Sequence, residues 1–281
     1  MPAKPEHQFA IASHLLGQAA DGLNWSNLGY WQHTDDYTTA CQQLAEQVGL
    51  AAQLHADDTV LELACGQGAS LIYWPQRFDI RSLYALELQA VLVQRIQQQS
   101  PAALQLIEQG HFDGLPLPQP LENQLKQQAF DAVLCVDAAY HAHSFADFSS
   151  VARHCLRAGG RLAFSTLTLD EQWLSASTWQ RQLHQQLLKA ADVPTASVLT
   201  AEQIQQQLTG LGFINIQLTP VDSEVLEGFA SFVQQRAAQL SLKERLQPAW
   251  LKIAITARLC RFLKQHGLVH YGVISAQLKD Y

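Results

Sequence analysis

Charge is scarce in this sequence. Only 15% of its 281 residues are Asp, Glu, Lys or Arg, and the formal net charge is −7. Without a basic excess, nucleic acid is not expected as the main partner. Five cysteines, at 41, 65, 135, 155 and 260, include no CxxC pair, and their number is odd. This argues against a zinc ribbon or a disulfide framework, and it points to a reduced, cytoplasmic protein. No apolar run approaches the roughly 18 residues of a transmembrane helix, so no integral membrane segment is expected. The start, MPAKPEHQFAIASHLLG, lacks the charged head and sustained apolar run of a signal peptide. Internal repeats are absent too. Hydrophobic residues, by contrast, make up 48% of the chain. That is enough for one large domain, or one domain with an insertion, whose core needs neither disulfide nor structural metal.

Short apolar runs alternate with helical patterns. Residues 59–64, 81–87, 104–108, 130–136 and 161–167 read as five strands. Leu88, Leu92 and Ile96 outline one helix face. Phe145, Phe148, Ala152 and Cys155 outline another, which Arg157-Ala158-Gly159-Gly160 is expected to stop. Residues 119–128 form a polar insertion before the fourth strand. Such alternation predicts an α/β fold with a parallel sheet and right-handed crossovers. The last third differs. Thr200-Ala201-Glu202-Gln203 has the form of a capping box. Ile214, Ile216 and Leu218 alternate as in a strand, and 270–278 reads as a final strand. Between them, 170–192 and 222–266 are helical in pattern, with a break near Pro248.

The first strand runs into Ala64-Cys65-Gly66-Gln67-Gly68. Open α/β sheets bind ligands beyond the carboxyl ends of their strands, and glycines let backbone approach a ligand closely. Gly66-x-Gly68 alone is weak evidence. A dinucleotide-binding turn requires a third glycine, and Leu71 stands there. An acid as close as Glu62 would repel a pyrophosphate, whereas it could accept a hydrogen bond from an ammonium group. Glu87 ends the second strand about twenty residues later, the spacing of a ribose-binding acid.

These residues resemble the class I S-adenosylmethionine-dependent methyltransferases, in particular the small-molecule, type 11-like branch. Glu62, Gly66 and Gly68 match the first motif, (D/E)xGxGxG, with Ala64 in a glycine position. Gly110-His111-Phe112-Asp113-Gly114-Leu115-Pro116 is similar to GDAxxLPF, with His111 for Asp and Phe112 for Ala. Phe130-Asp131 through His141 matches FDxVxxxxxxxH, and Leu156 through Leu162 matches LxPGGxL, with Ala158 for proline. Asn27-Leu28-Gly29-Tyr30-Trp31 looks like the NxGYW segment that precedes the core in many relatives.

The resemblance implies a Rossmann-like, seven-stranded, mostly parallel sheet with helices on both faces. It implies one methyltransferase domain over 1–281, divided into an N-terminal helical lid (1–55), a cofactor core (56–169), helical cap segments (170–199 and 222–266) and remaining core (200–221 and 267–281). The implied cofactor is S-adenosyl-L-methionine. Its expected contacts are Tyr30, Trp31, Glu62, Ala64, Gly66, Gly68, Glu87, Leu88, His111, Phe112 and Asp137. His141 is the candidate base and Tyr140 the candidate orienter of the acceptor. The acid that pairs with such a histidine in some relatives is replaced here by Thr166 or Ser165. His141-Ala142-His143 with Asp137 offers metal-ligand types but no third strong ligand, so no metal is expected. Trp173, Trp179 and Phe229 are candidates for lining an apolar acceptor pocket. The expected reaction is methyl transfer to a small, partly apolar metabolite, at O or N before C, by a protein that could form homo-oligomers. The alternatives are other chemistry on the same cofactor (methylene transfer to lipid, or binding without catalysis) and a nicotinamide-dependent oxidoreductase.

Overall fold

A computed structural model describes residues 12–19 and 22–280. Seven strands form one sheet: β1 (Thr59–Leu63), β2 (Ser82–Glu87), β3 (Leu104–Gln109), β4 (Phe130–Cys135), β5 (Leu156–Leu169), β6 (Phe213–Pro220) and β7 (Val269–Leu278). Their order is β3-β2-β1-β4-β5-β7-β6, and β7 alone runs antiparallel to its neighbours. The fold is the expected Rossmann-like α/β sheet.

Two-residue periodicity sorts the side chains into two cores. Val60, Leu83, Ala132 and Ala163 face one way, towards α1 (Tyr37–Ala51), α2 (Ser70–Phe78) and α3 (Ala90–Gln99). Leu61, Leu63, Val133 and Phe164 face the other, towards α4 (Gln119–Gln127), α5 (Phe145–Cys155) and α7 (Ala201–Gly210). The first core extends into α6 (Thr178–Ala190), α8 (Gly228–Gln239) and α10 (Pro248–His266), through Leu188, Phe229, Trp250 and Ile253. Between α8 and α10 lies the short α9 (Leu242–Arg245). Pro248 is the first residue of α10, where its missing N–H costs nothing.

Three local expectations change. The segment expected as a polar insertion over 119–128 forms the amphipathic helix α4 over Gln119–Gln127, anchored by the buried Leu121. Helix α3 buries Val93 and Ile96, so its inner face is turned from the expected Leu88–Leu92 line. Gly159 is not a helix stop, because α5 ends at Cys155 and Leu156 is already extended. Gly159, with φ +71°, instead bends β5 where its pairing with β4 shifts register.

Candidate active site

The turn after β1 is held from below and from the side. Ala64 N–H donates to the Leu86 carbonyl at 2.8 Å. Ala64, Gly66 and Gly68 all adopt positive φ, at +56°, +57° and +84°. A side chain is strained in that region, which is the physical reason glycine is usual at position 64. A Cβ on Gly68 would meet Ile96 Cγ1 at 2.7 Å, so α3 packs directly on the turn. Two buried acids lie at this end of the sheet. Glu87 accepts from Gly66 N–H and Gln89 N–H, each at 2.9 Å. Glu62 is turned towards α2, where it accepts from the Trp74 indole N–H at 2.8 Å. Burial pushes its carboxyl up to about 7, against the lowering effect of Trp74 and Ser70. Glu62 therefore braces α2 against β1. Burial also raises Glu87.

An N-terminal arm straps this turn. Asn24 bridges to Gly68, Ser13 Oγ donates to Gln67 Oε1 at 2.8 Å, and Ser26 Oγ would lie 2.8 Å from a Cβ on Gly66. The arm's conformation is written in Asn27 and Gly29. Asn27 Oδ1 accepts from Gly29 N–H, Asn27 Nδ2 donates to the Cys41 carbonyl, and the Asn27 carbonyl accepts from Tyr37 Oη. Gly29 has φ +76° and leaves no room for a Cβ beside Ala40. Trp31 stacks on Phe232 of α8 with ring centroids 4.5 Å apart, and its indole N–H donates to the Leu28 carbonyl. Trp31, expected among the cofactor contacts, is tied down as the anchor of the arm. Tyr30 is half-buried, donates to Gln32, and is raised by burial and by Glu224.

Asp137, just after β4, joins arm, sheet and loop. Its Oδ2 accepts from Leu28 N–H at 2.7 Å, and its Oδ1 accepts from Tyr140 Oη at 2.7 Å and from Tyr271 Oη of β7. Its own N–H donates to Ser165 Oγ at 2.8 Å, which leaves the serine proton for Tyr271 Oη, 3.0 Å away. Burial lifts the Asp137 carboxyl to about 6, and the three donors oppose that rise.

His141 follows in a short 3₁₀ turn, its ring 4.4 Å from that of Tyr140. Its Nδ1 lies 2.8 Å from the Asp192 carbonyl. A carbonyl only accepts, so Nδ1 carries the proton and Nε2 the lone pair. Burial lowers the imidazole pKa, and Lys252 of α10 adds to that effect. The neutral ring is the resting state at neutral pH.

On the β3 side the expected residues part company. His111 is exposed. Phe112 packs edge-on to Phe148 at 6.3 Å, plugging the second core. The buried acid here is Asp113, which sequence reasoning gave no role: it accepts from both the N–H and the ring of His143, each at 2.6 Å. His141 and His143 thus have separate partners. Leu88 is half-buried beyond Glu87. Trp173 and Phe229 are buried in the core, whereas Trp179 is 69% exposed.

Residues 61–164 match the family described as "Methyltransferase domain". The chain is 23% identical over 251 residues to the erythromycin 3''-O-methyltransferase of Saccharopolyspora erythraea, covering 86% of this chain and 79% of that one. It is 22% identical over 256 residues to the O-methyltransferase resE of Aspergillus sclerotiorum, covering 89% and 88% respectively. Among solved structures, the mycolic acid cyclopropane synthase CmaA1 superposes with a TM-score of 0.71 at 14% identity, over 95% of this chain and 94% of that one. Residues 61–164 thus carry a methyltransferase domain of the class I, S-adenosylmethionine-dependent type.

The cofactor of this methyltransferase is S-adenosylmethionine. The turn suits such a group. Its backbone is bare at Gly66 and Gly68, and the buried Glu87 carboxyl stands at the end of β2 beside it. What the sequence did not signal were Tyr271, Asp192 and Lys252. Each reaches the methyltransferase site from a distant element, and no local motif marks it.

Proposed function

We propose that this methyltransferase transfers a methyl group to an oxygen, or secondarily a nitrogen, of a small, partly apolar metabolite, with His141 taking the acceptor's proton. The observation that carries this is the placement of His141 just after β4, its ring 4.4 Å from that of Tyr140 and its Nδ1 held 2.8 Å from the Asp192 carbonyl. S-adenosylmethionine supplies a methyl group on a sulfonium, already activated for in-line displacement. The protein's own tasks are alignment, exclusion of water and removal of a proton. Glu87 and the Gly66–Gly68 backbone would hold the cofactor. Tyr140, fixed by Asp137, would orient the acceptor.

The helical segments 170–199 and 222–266 are read as a cap, and 1–55 as a lid. Asp192 belongs to the first cap segment and Lys252 to the second, and both act on His141. The two O-methyltransferase relatives favour oxygen as the acceptor atom. A fold shared with a cyclopropane synthase does not fix the chemistry. Five unpaired, buried cysteines suit a reducing compartment such as the cytoplasm.

The test uses methyl-labelled S-adenosylmethionine with a panel of hydroxylated and aminated apolar acceptors. His141→Asn keeps a donor for the Asp192 carbonyl but removes the base. Turnover should fall roughly hundredfold or more, with affinity for S-adenosylhomocysteine unchanged. The acid limb of the wild-type kcat profile should lie below the usual histidine range and vanish in the variant. Equal loss of turnover and cofactor affinity would make His141 structural. Glu87→Gln should show the reverse pattern, with affinity weakened on the order of tenfold.

A further inference from the structure

Four large aliphatic side chains within a short stretch face water. Leu242 and Leu246 are 76% and 73% exposed, and Leu251 and Ile255 of α10 are 47% and 62% exposed. Leu251, Ile255 and Arg258 stand at i, i+4 and i+7, which places them along one stripe of the helix. Bases surround them. Residues 242–266 hold Lys243, Arg245, Lys252, Arg258, Arg261 and Lys264 against the single acid Glu244, in a chain whose formal charge is −7. An exposed apolar stripe flanked by Lys and Arg is the composition of a helix that lies in a membrane interface.

We propose that α9 and the outer face of α10 dock on an anionic lipid bilayer. The contact is peripheral, since among the described residues no helix is long and apolar enough to cross a membrane. Charge selects the occupant. A bilayer bearing anionic lipid attracts this basic segment, and the acidic remainder of the chain turns away, which fixes the orientation of approach. A second copy meeting the same patch across a two-fold axis would set the bases against one another. The docking helix is also the one whose Lys252 acts on His141, while its inner face, through Trp250, Ile253 and Ala257, enters the core. An apolar acceptor dissolved in the bilayer would therefore be met one helix away from the candidate base. The surface itself rests on exposure and charge, independently of the proposed methyl transfer.

The test is co-sedimentation of the full chain with vesicles of phosphatidylcholine alone and of phosphatidylcholine with phosphatidylglycerol, at low and high salt, beside sedimentation velocity without vesicles. Binding is expected to the phosphatidylglycerol vesicles only, and to weaken with salt. Leu251→Ser combined with Ile255→Ser should lower partitioning about tenfold or more at either salt. Arg258→Glu should lower it about fivefold or more, chiefly at low salt. Circular dichroism should show both variants folded, as expected for exposed positions. Equal partitioning to both vesicles, no partitioning to either, or a dimer that the double serine variant dissociates would overturn the proposal. Loss of methyl transfer with vesicle binding intact would overturn the functional reading alone.

Discussion

At the scale of single residues, the glycine turn carries a strain that its own family pattern explains. Ala64 holds φ +56°, where an L side chain costs roughly 1–2 kcal/mol. Ala64→Gly removes that cost and adds backbone freedom to the unfolded chain, which takes back part of the gain. The net expectation is a stabilisation of about 1 kcal/mol, read as a higher urea midpoint at unchanged m. A lower midpoint would mean that the methyl group packs better than its backbone suggests. Glu62 makes a second case. Its carboxyl stands at about 7 in the fold against an ordinary value of 4.5. Between those values the folded chain keeps a proton that the unfolded chain has released, so stability falls as pH rises through this window and levels off above it. Asp137, raised to about 6, contributes with the same sign. His141 and His184, both lowered by burial, contribute with the opposite sign and lose stability as pH falls. Glu62→Gln keeps an acceptor for Trp74 and removes the titration. The stability lost between pH 5 and pH 8 should then shrink by on the order of 1–3 kcal/mol. An unchanged slope in thermal melts across that range would show that Glu62 is not the group that titrates.

At the scale of elements, most of the sheet was legible because burial imposes periods. Every core strand predicted from apolar runs is present. Thr200 and Gln203 form both bonds of their capping box, since that motif closes within four residues. Legibility failed where a segment's role depends on a partner far along the chain. The polar segment 119–128 gave no period strong enough to announce α4. The sequence pattern of Asn27 to Trp31 was visible, but its purpose as a clamp between α1 and α8 was not. Gly228 shows the consequence. It lies inside helical backbone, where alanine is ordinarily favoured by about 1 kcal/mol. Here an added Cβ would fall 2.4 Å from Trp31 Cβ, close to backbone that cannot yield cheaply. Overpacking of this kind costs about 1–3 kcal/mol, so the clash should outweigh the gain in propensity. Gly228→Ala should release Trp31 from Phe232, shifting tryptophan emission to the red and admitting protease to the arm, with the sheet intact by circular dichroism. Unchanged emission together with higher stability would show that the clamp is not rigid.

At the scale of the whole molecule, the site is assembled from parts that meet only on folding. Asp137 receives its donors from Leu28 and Tyr271, 109 and 134 residues away along the chain. Contacts of that reach leave no trace in local pattern, which is why the glycine turn could be read from sequence while the network beside it could not. The same closure makes the arm and the glycine turn one unit, through Asn24 on Gly68, Ser13 on Gln67, and Leu28 on Asp137. A ligand seated on the turn should therefore tighten the arm, and loosening the arm should weaken the ligand, because linkage is reciprocal. S-adenosylhomocysteine at about one hundred times its Kd should stabilise the wild-type protein by ~2.7 kcal/mol. At that same concentration the increment should be smaller in Gly228→Ala, whose substitution lies on the far side of the arm from the turn. Leu251→Ser, on the outer face of α10, should keep the full increment and so controls for general loss of stability. Titration calorimetry checks the same coupling directly. If Gly228→Ala detaches the arm by fluorescence yet binds S-adenosylhomocysteine as tightly as the wild type, the arm covers the turn without contributing to the site.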